Sequence, residues 1–172
     1  MHIKASLISV IPAFTALSQA IIVPVDLPDG RYSISLATNK NSSVPVLFTA
    51  GEERLSTLGS LPHPSIGCAS YSTYQNDANV ARNGLNAWCN AGNVVRETSA
   101  EFFSYGSAIA YICNYAGSTN PCSSSEFDVV NQLINADCGG SNAGWVEIDD
   151  WGKAYGRDNK GVPICSWGLS TR

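Results

Sequence analysis

The chain has 172 residues, 44% of them hydrophobic and 14% charged, with 14 acids against 10 bases for a formal net charge of −4. That acidic balance, with no block of like charges, argues against electrostatic capture of phosphate backbones, so no nucleic acid is expected as a partner. Past the first twenty residues no apolar run reaches the roughly eighteen residues of a membrane span, so no membrane span is expected.

Residues 1–20 carry an early lysine (Lys4), an apolar stretch from Ala5 to Leu17, and small residues Ser18 and Ala20 at the −3 and −1 positions of a cleavage site. This is the layout of a secretory signal peptide, and it implies a secreted, extracellular protein. Removal of those residues leaves 152 (172 − 20), the size of one ordinary domain, with a charge of −5 (14 acids, 9 bases). From Ile21 to Gly67 there is no cysteine; six then follow, at Cys68, Cys89, Cys113, Cys122, Cys138 and Cys165. In an oxidising compartment an even count reads as three disulfides, not as a metal site or a catalytic thiol. Fifteen pairings are open at this point.

Residues 21–67 read as a β-rich extension and connector that forms one globular domain with residues 68–172. Tyr32, Ile34 and Leu36 alternate with Ser33, Ser35 and Ala37, the period of a half-buried strand, and Val44 to Thr49 is a second β-like run. Asn41-Ser42-Ser43 between them is a glycosylation sequon on Asn41. Leu58 to Pro64 holds two prolines around His63 and predicts an extended connector.

Asn76 or Asp77 can cap a helix in which Ala81, Leu85 and Trp88 form one apolar stripe, ending at Cys89 and the Asn90-Ala91-Gly92 stop. Phe102 to Tyr115, aromatic and β-branched, predicts one long or two short buried strands. Ser123-Ser124-Ser125-Glu126 is a capping box, and Phe127, Val130 and Ile134 continue at helical spacing to Gly139-Gly140. The tail offers Trp145–Ile148, Trp151–Arg157 and Val162–Trp167 as an antiparallel meander, with Asp158–Gly161 as a turn.

Candidate chemistry is sparse. His63 is the one histidine left after residue 20, and no triad motif surrounds it, so a solvated loop histidine is the competing reading. Glu147 and Asp149 would share a face of a strand and could serve as a carboxylate pair for glycoside hydrolysis; solvated acids on a strand or turn are the alternative. Trp145, Trp151 and Trp167, with Tyr155, could stack on polysaccharide or anchor a protein partner, or else fill the core. Lys153, Arg157 and Lys160 form a local basic cluster able to dock an acidic groove. No Gly-rich phosphate loop, zinc spacing or calcium loop occurs in the sequence, so no cofactor and no metal is expected.

Trp88-Cys89, Ile109-Ala110-Tyr111, Ser118-Thr119-Asn120-Pro121-Cys122, Val130–Cys138 and Pro163-Ile164-Cys165 together resemble the killer-toxin-four type of smut-fungus killer proteins and related small secreted fungal proteins, over residues 68–167. The resemblance implies an α+β fold: an antiparallel β-sheet with two antiparallel α-helices packed on one face, an α/β sandwich. On that arrangement the end of helix one meets the start of helix two, which pairs Cys89 with Cys122. The opposite end brings Cys68 to Cys138, and Cys113 of the central strand is left for Cys165. The toxin is richer in cysteine and lacks the N-terminal extension, so none of its functional residues is carried over. The chain is also similar in type to the secreted proteins that fungi deliver into plant tissue. The expectation is therefore a monomeric, non-catalytic effector that binds an extracellular host protein, with a protease first, through the loop Pro62, His63, Pro64 or the surface of Trp151, Lys153, Tyr155, Arg157 and Lys160. A channel-directed killer toxin and a small glycoside hydrolase are the alternatives.

Overall fold

The computed structural model describes residues 21–36, 46–48 and 61–166. The expected signal peptide (residues 1–20), the Asn41 sequon, Leu58, Gly59 and Ser60 of the expected connector, and Trp167 lie outside them.

Alternation of apolar and small residues builds a seven-stranded antiparallel sheet. Its strands are β2 (Gly30–Ser35), β3 (Val46–Phe48), β4 (Pro64–Ser72), β6 (Ser99–Tyr105), β7 (Ala108–Asn114), β9 (Asn142–Ile148) and β10 (Lys153–Asn159). They lie side by side in the order β3-β2-β6-β7-β10-β9-β4. Two short pairs flank the sheet: β1 (Ile21–Ile22) with β11 (Pro163–Ile164), and β5 (Val94–Val95) with β8 (Asn120–Pro121). The aromatic run from Phe102 is thus two strands, β6 and β7, folded back at Gly106-Ser107. Helices α1 (Gln75–Asn90) and α2 (Ser124–Cys138) cover one face.

The core splits at the sheet. Under the helices Ala81, Leu85 and Cys89 of α1 meet Phe127, Val130 and Ile134 of α2 over Ala110, Ile112, Val146, Ile148 and Tyr155. Of the helical stripes read from sequence, Ala81, Leu85, Phe127, Val130 and Ile134 are buried and Trp88 is partly so. On the opposite face Tyr32 of β2 and Leu36 just after it, both of the alternating run, join Phe102, Ile109, Tyr111 and Ala154 beneath Val23 and Ile164. The ends of the described chain, paired as β1 and β11, therefore roof the face that the helices leave open. Burying both faces explains why β7, the middle strand, is apolar at nearly every position and buried throughout.

Cys68–Cys138, Cys89–Cys122 and Cys113–Cys165 are the three disulfides. Cys89 at the end of α1 holds Cys122 before α2, so the helices run antiparallel. Cys113–Cys165 ties the middle strand to the β11 roof.

The caps differ from one another. Ser123 Oγ accepts from the backbone N–H of Glu126 at 3.2 Å, the serine half of the capping box, while Glu126 Oε2 meets Lys153 and Tyr155. At α1, Asn76 and Asp77 do not cap: the helix starts after Tyr74, with no side-chain cap. Asp77 Oδ2 instead accepts from the backbone N–H and hydroxyl of Ser107 at 2.8 and 3.0 Å. A tertiary acceptor site for two donors outcompeted the local one. The last meander is also interrupted, since a 3-10 turn over Asp149–Trp151 precedes β10, which begins at Lys153.

Candidate functional site

Strand β10 alternates long polar residues, Lys153, Tyr155 and Arg157, with Ala154 and Gly156. Side chains on alternate residues share a face, and here that face lies beneath α2. Lys153 is 1% exposed; its Nζ donates to Glu126 Oε2 at 2.7 Å and to the Pro121 carbonyl at 2.6 Å, and sits 4.8 Å from the Trp151 ring centre. The Tyr155 hydroxyl donates to the same Glu126 oxygen. Burial pushes the Lys153 ammonium below its ordinary pKa, against the pull of Glu126. Burial, then the Glu126 charge, pushes the Tyr155 phenol well above its own.

Arg157 closes the other end of α2. It donates to the carbonyls of Gly139, Gly140 and Asn142 and to Asn131 Oδ1. A cation at a helix C-terminus meets the negative end of the dipole and the carbonyls left without partners. Burial and the nearby Arg82 charge lower its pKa. Lys160 donates to the Leu27 carbonyl at 2.7 Å, its side chain 7% exposed beside Asp29.

These positions correct the expected basic docking surface. Lys153, Tyr155, Arg157 and Lys160 are internal ties that hold α2 and the N-terminal segment to the sheet, because the helices cover the face on which the first three stand. Of the expected binding residues, His63 and Pro64 are exposed, and Pro62 and Trp151 are partly so.

Those four gather at one corner. Pro64 opens β4 and pairs with Ile148, which places His63 beside the turn Asp149–Trp151 that follows β9. The His63 ring contacts Asp150 through Nδ1 and Oδ2 at 3.0 Å, and its backbone has φ = 39°, the left-handed region. A residue with a Cβ adopts that conformation at a cost, and the constraint here comes from two flanking prolines and a strand start. Beneath the corner Asn120 Nδ2 donates to the Trp151 carbonyl at 2.7 Å and to Asn114 Oδ1. Buried Asn114 Nδ2 reaches the carbonyls of Val95, Arg96 and Ser118, and its Oδ1 accepts from the Ala116 N–H. Loops from both halves of the sheet thus converge on one side chain.

The acids Glu147 and Asp149 are not brought together by strand alternation. β9 ends at Ile148, and Asp149 stands in the 3-10 turn, exposed, while Glu147 is part-buried on the face opposite the helices. Trp145 packs on that same face, its ring over Gly67.

Sequence reasoning missed three charged or polar groups. Arg31 Nη1 donates to Glu101 Oε2 at 2.7 Å and lies 4.9 Å from the Trp88 ring centre. Tyr71 donates to buried Asp158 at 2.8 Å. Glu126 figured only as a cap. One signal was available for Glu126's partners: a lysine, a tyrosine and an arginine alternating with alanine and glycine mark a face with a neighbour to meet.

Fold and corner define a three-disulfide α+β sandwich whose bridges are of the kind found in secreted and extracellular proteins. Comparison with family models, with characterised proteins and with solved structures finds no match in any of the three.

Proposed function

We propose that the chain is an exported effector of fungal type that works by binding, and that it inhibits an extracellular host enzyme, a protease first, with the Pro62–His63–Pro64 corner as the contacting element. The observation that carries this reading is the corner itself. His63 and Pro64 project into solvent on a backbone fixed by two prolines, the His63–Asp150 contact and the Cys68–Cys138 bridge a few residues on. A segment already held in one conformation loses little entropy on binding, which is what makes a loop an effective inhibitor. The cations that could have made a rival docking surface are spent inside the molecule.

The test is titration of papain-like and trypsin-like proteases with the oxidised protein lacking residues 1–20. Stoichiometric inhibition is expected, weakened at least about tenfold by His63→Gly, which removes the ring and loosens the backbone. No inhibition of either class, or equal inhibition by the variant, would reject this reading of the corner. Multiple turnover of chitin, glucan or peptidoglycan would replace it with a hydrolase.

A further inference from the structure

The three bridges stand in different surroundings. Cys113 and Cys165 are 0% exposed, and Cys89 and Cys122 are 2% and 8% exposed. Cys89–Cys122 is closed in with the helix-side core and Cys113–Cys165 with the opposite one. Cys68 is exposed, and Cys138, the last residue of α2, is only partly buried. A thiolate must reach a sulfur to displace its partner, so access decides which bridge exchanges first. The strand around Cys68 adds to that access: none of the nine residues of β4 is fully buried, and its regular register against β9 ends at Cys68.

The fastenings of β4 are uneven along its length. Beyond Cys68, Tyr71 donates to Asp158 at 2.8 Å, Asn159 Nδ2 donates to the Ser72 carbonyl at 3.1 Å, and the Thr73 N–H donates to the Ser141 carbonyl at 2.8 Å. Residues 64–67 have the β9 ladder, Ile66 against the helix-side core and the Trp145 ring over Gly67. The bridge at Cys68 is the covalent tie from this half of the strand to α2.

We propose that Cys68–Cys138 is a reducible latch: a dithiol reductant opens it while Cys89–Cys122 and Cys113–Cys165 stay closed, and the half of β4 next to the Pro62–His63–Pro64 corner loosens on a molecule that is otherwise folded. A thiolate of the reductant attacks the exposed Cys68 sulfur; the S–S bond breaks, and Cys138 leaves with the electron pair and takes up a proton. The second thiol of the reductant gives its proton to solvent and displaces Cys68 from the mixed disulfide, which closes the reductant's own disulfide and leaves Cys68 as a thiol once it is protonated. Two electrons have then passed from reductant to bridge. The remaining bridges still close loops of sequence separation 33 and 52, so helices and middle strands stay cross-linked. A reducing medium would thereby take away the rigidity of the corner, a consequence that alone rests on the inhibitor reading.

The test is titration of the oxidised protein lacking residues 1–20 with dithiothreitol, followed by alkylation and peptide mapping. Cys68 and Cys138 should be labelled at least about tenfold faster than the other four cysteines. At that point far-ultraviolet circular dichroism should be unchanged, and amide exchange should quicken in residues 65–68 while β7 stays protected. The double variant Cys68→Ser with Cys138→Ser should fold and show the same exchange pattern without reductant. First labelling at another pair, simultaneous labelling of all six, unchanged exchange in residues 65–68, or a double variant that does not fold would overturn the proposal. No protease enters these measurements, so a lack of inhibition would reject the corner reading and leave the latch standing.

Discussion

Replacing Glu126 with glutamine isolates what the carboxylate does for Lys153. Glutamine still accepts from the Tyr155 hydroxyl and from Nζ, so packing is kept and only the negative charge is lost. A buried cation stripped of its partner costs about 3–5 kcal/mol. Here the Glu126 side chain is 21% exposed and Nζ keeps the Pro121 carbonyl and the Trp151 ring, which lowers the figure to about 2–3 kcal/mol. The ceiling is the cost of neutralising the lysine: from an ordinary 10.5 down to pH 7, about 4.8 kcal/mol. Lys153→Met removes the charge and fills the same volume with apolar atoms, while Glu126 retains solvent and Tyr155. It should cost about 1 kcal/mol or less, and the double variant should cost no more than Lys153→Met alone. Guanidinium unfolding of the oxidised protein measures all four corners of the cycle. Glu126→Gln should also lower Tm by about 5–10 °C. Because the folded pKa of Lys153 lies below its unfolded value, the unfolded chain binds more protons, and stability rises with pH in that window. The deficit of Glu126→Gln should therefore shrink as pH rises toward the unfolded value of 10.5. A loss under about 0.5 kcal/mol, or a methionine variant as weak as the glutamine one, would refute the assignment of Glu126 as the counter-charge.

Three tyrosines set the alkaline limit. Burial raises the pKa of Tyr111 and Tyr155 well above 10, and burial with the Asp158 bond raises Tyr71 to about 12. Their contribution is complete below the unfolded value of 10 and is lost as pH climbs toward the folded values, so stability should fall from pH 10 upward. Phenolate absorbance should show Tyr111 and Tyr155 silent until the chain unfolds. Gly156 lies under the Tyr111 ring, where a Cβ would stand 2.3 Å from Cζ and Oη, so Gly156→Ala should cost about 3 kcal/mol in a denaturant titration. The Tyr111 hydroxyl is buried with no partner among the described residues, so Tyr111→Phe should be neutral or stabilising by up to about 1 kcal/mol.

Much of the architecture was legible along the chain, since it rests on local periodicity. The apolar spacings of Ala81 with Leu85, and of Phe127, Val130 and Ile134, report which side of a helix must leave water, and the alternation at Tyr32, Ile34 and Leu36 does the same for a strand. The Ser123 cap spans three residues and needs no distant partner. The pairing of the cysteines followed once two antiparallel helices were assumed, an assumption drawn from a resemblance and not from spacing.

Polar side chains behaved otherwise. Lys153, Arg157 and Lys160 look like surface cations when read as a local basic cluster, and Asp77 looks like a cap. Each found its partner on a segment distant in sequence: Glu126, the carbonyls after α2, the Leu27 carbonyl and the Ser107 turn. An apolar residue needs only to leave water, a condition its neighbours along the chain reveal. A charged one needs a specific opposite group at hydrogen-bonding distance, and whether that group is water or protein is decided only when the helices close over the sheet and the N-terminal segment closes over the turns.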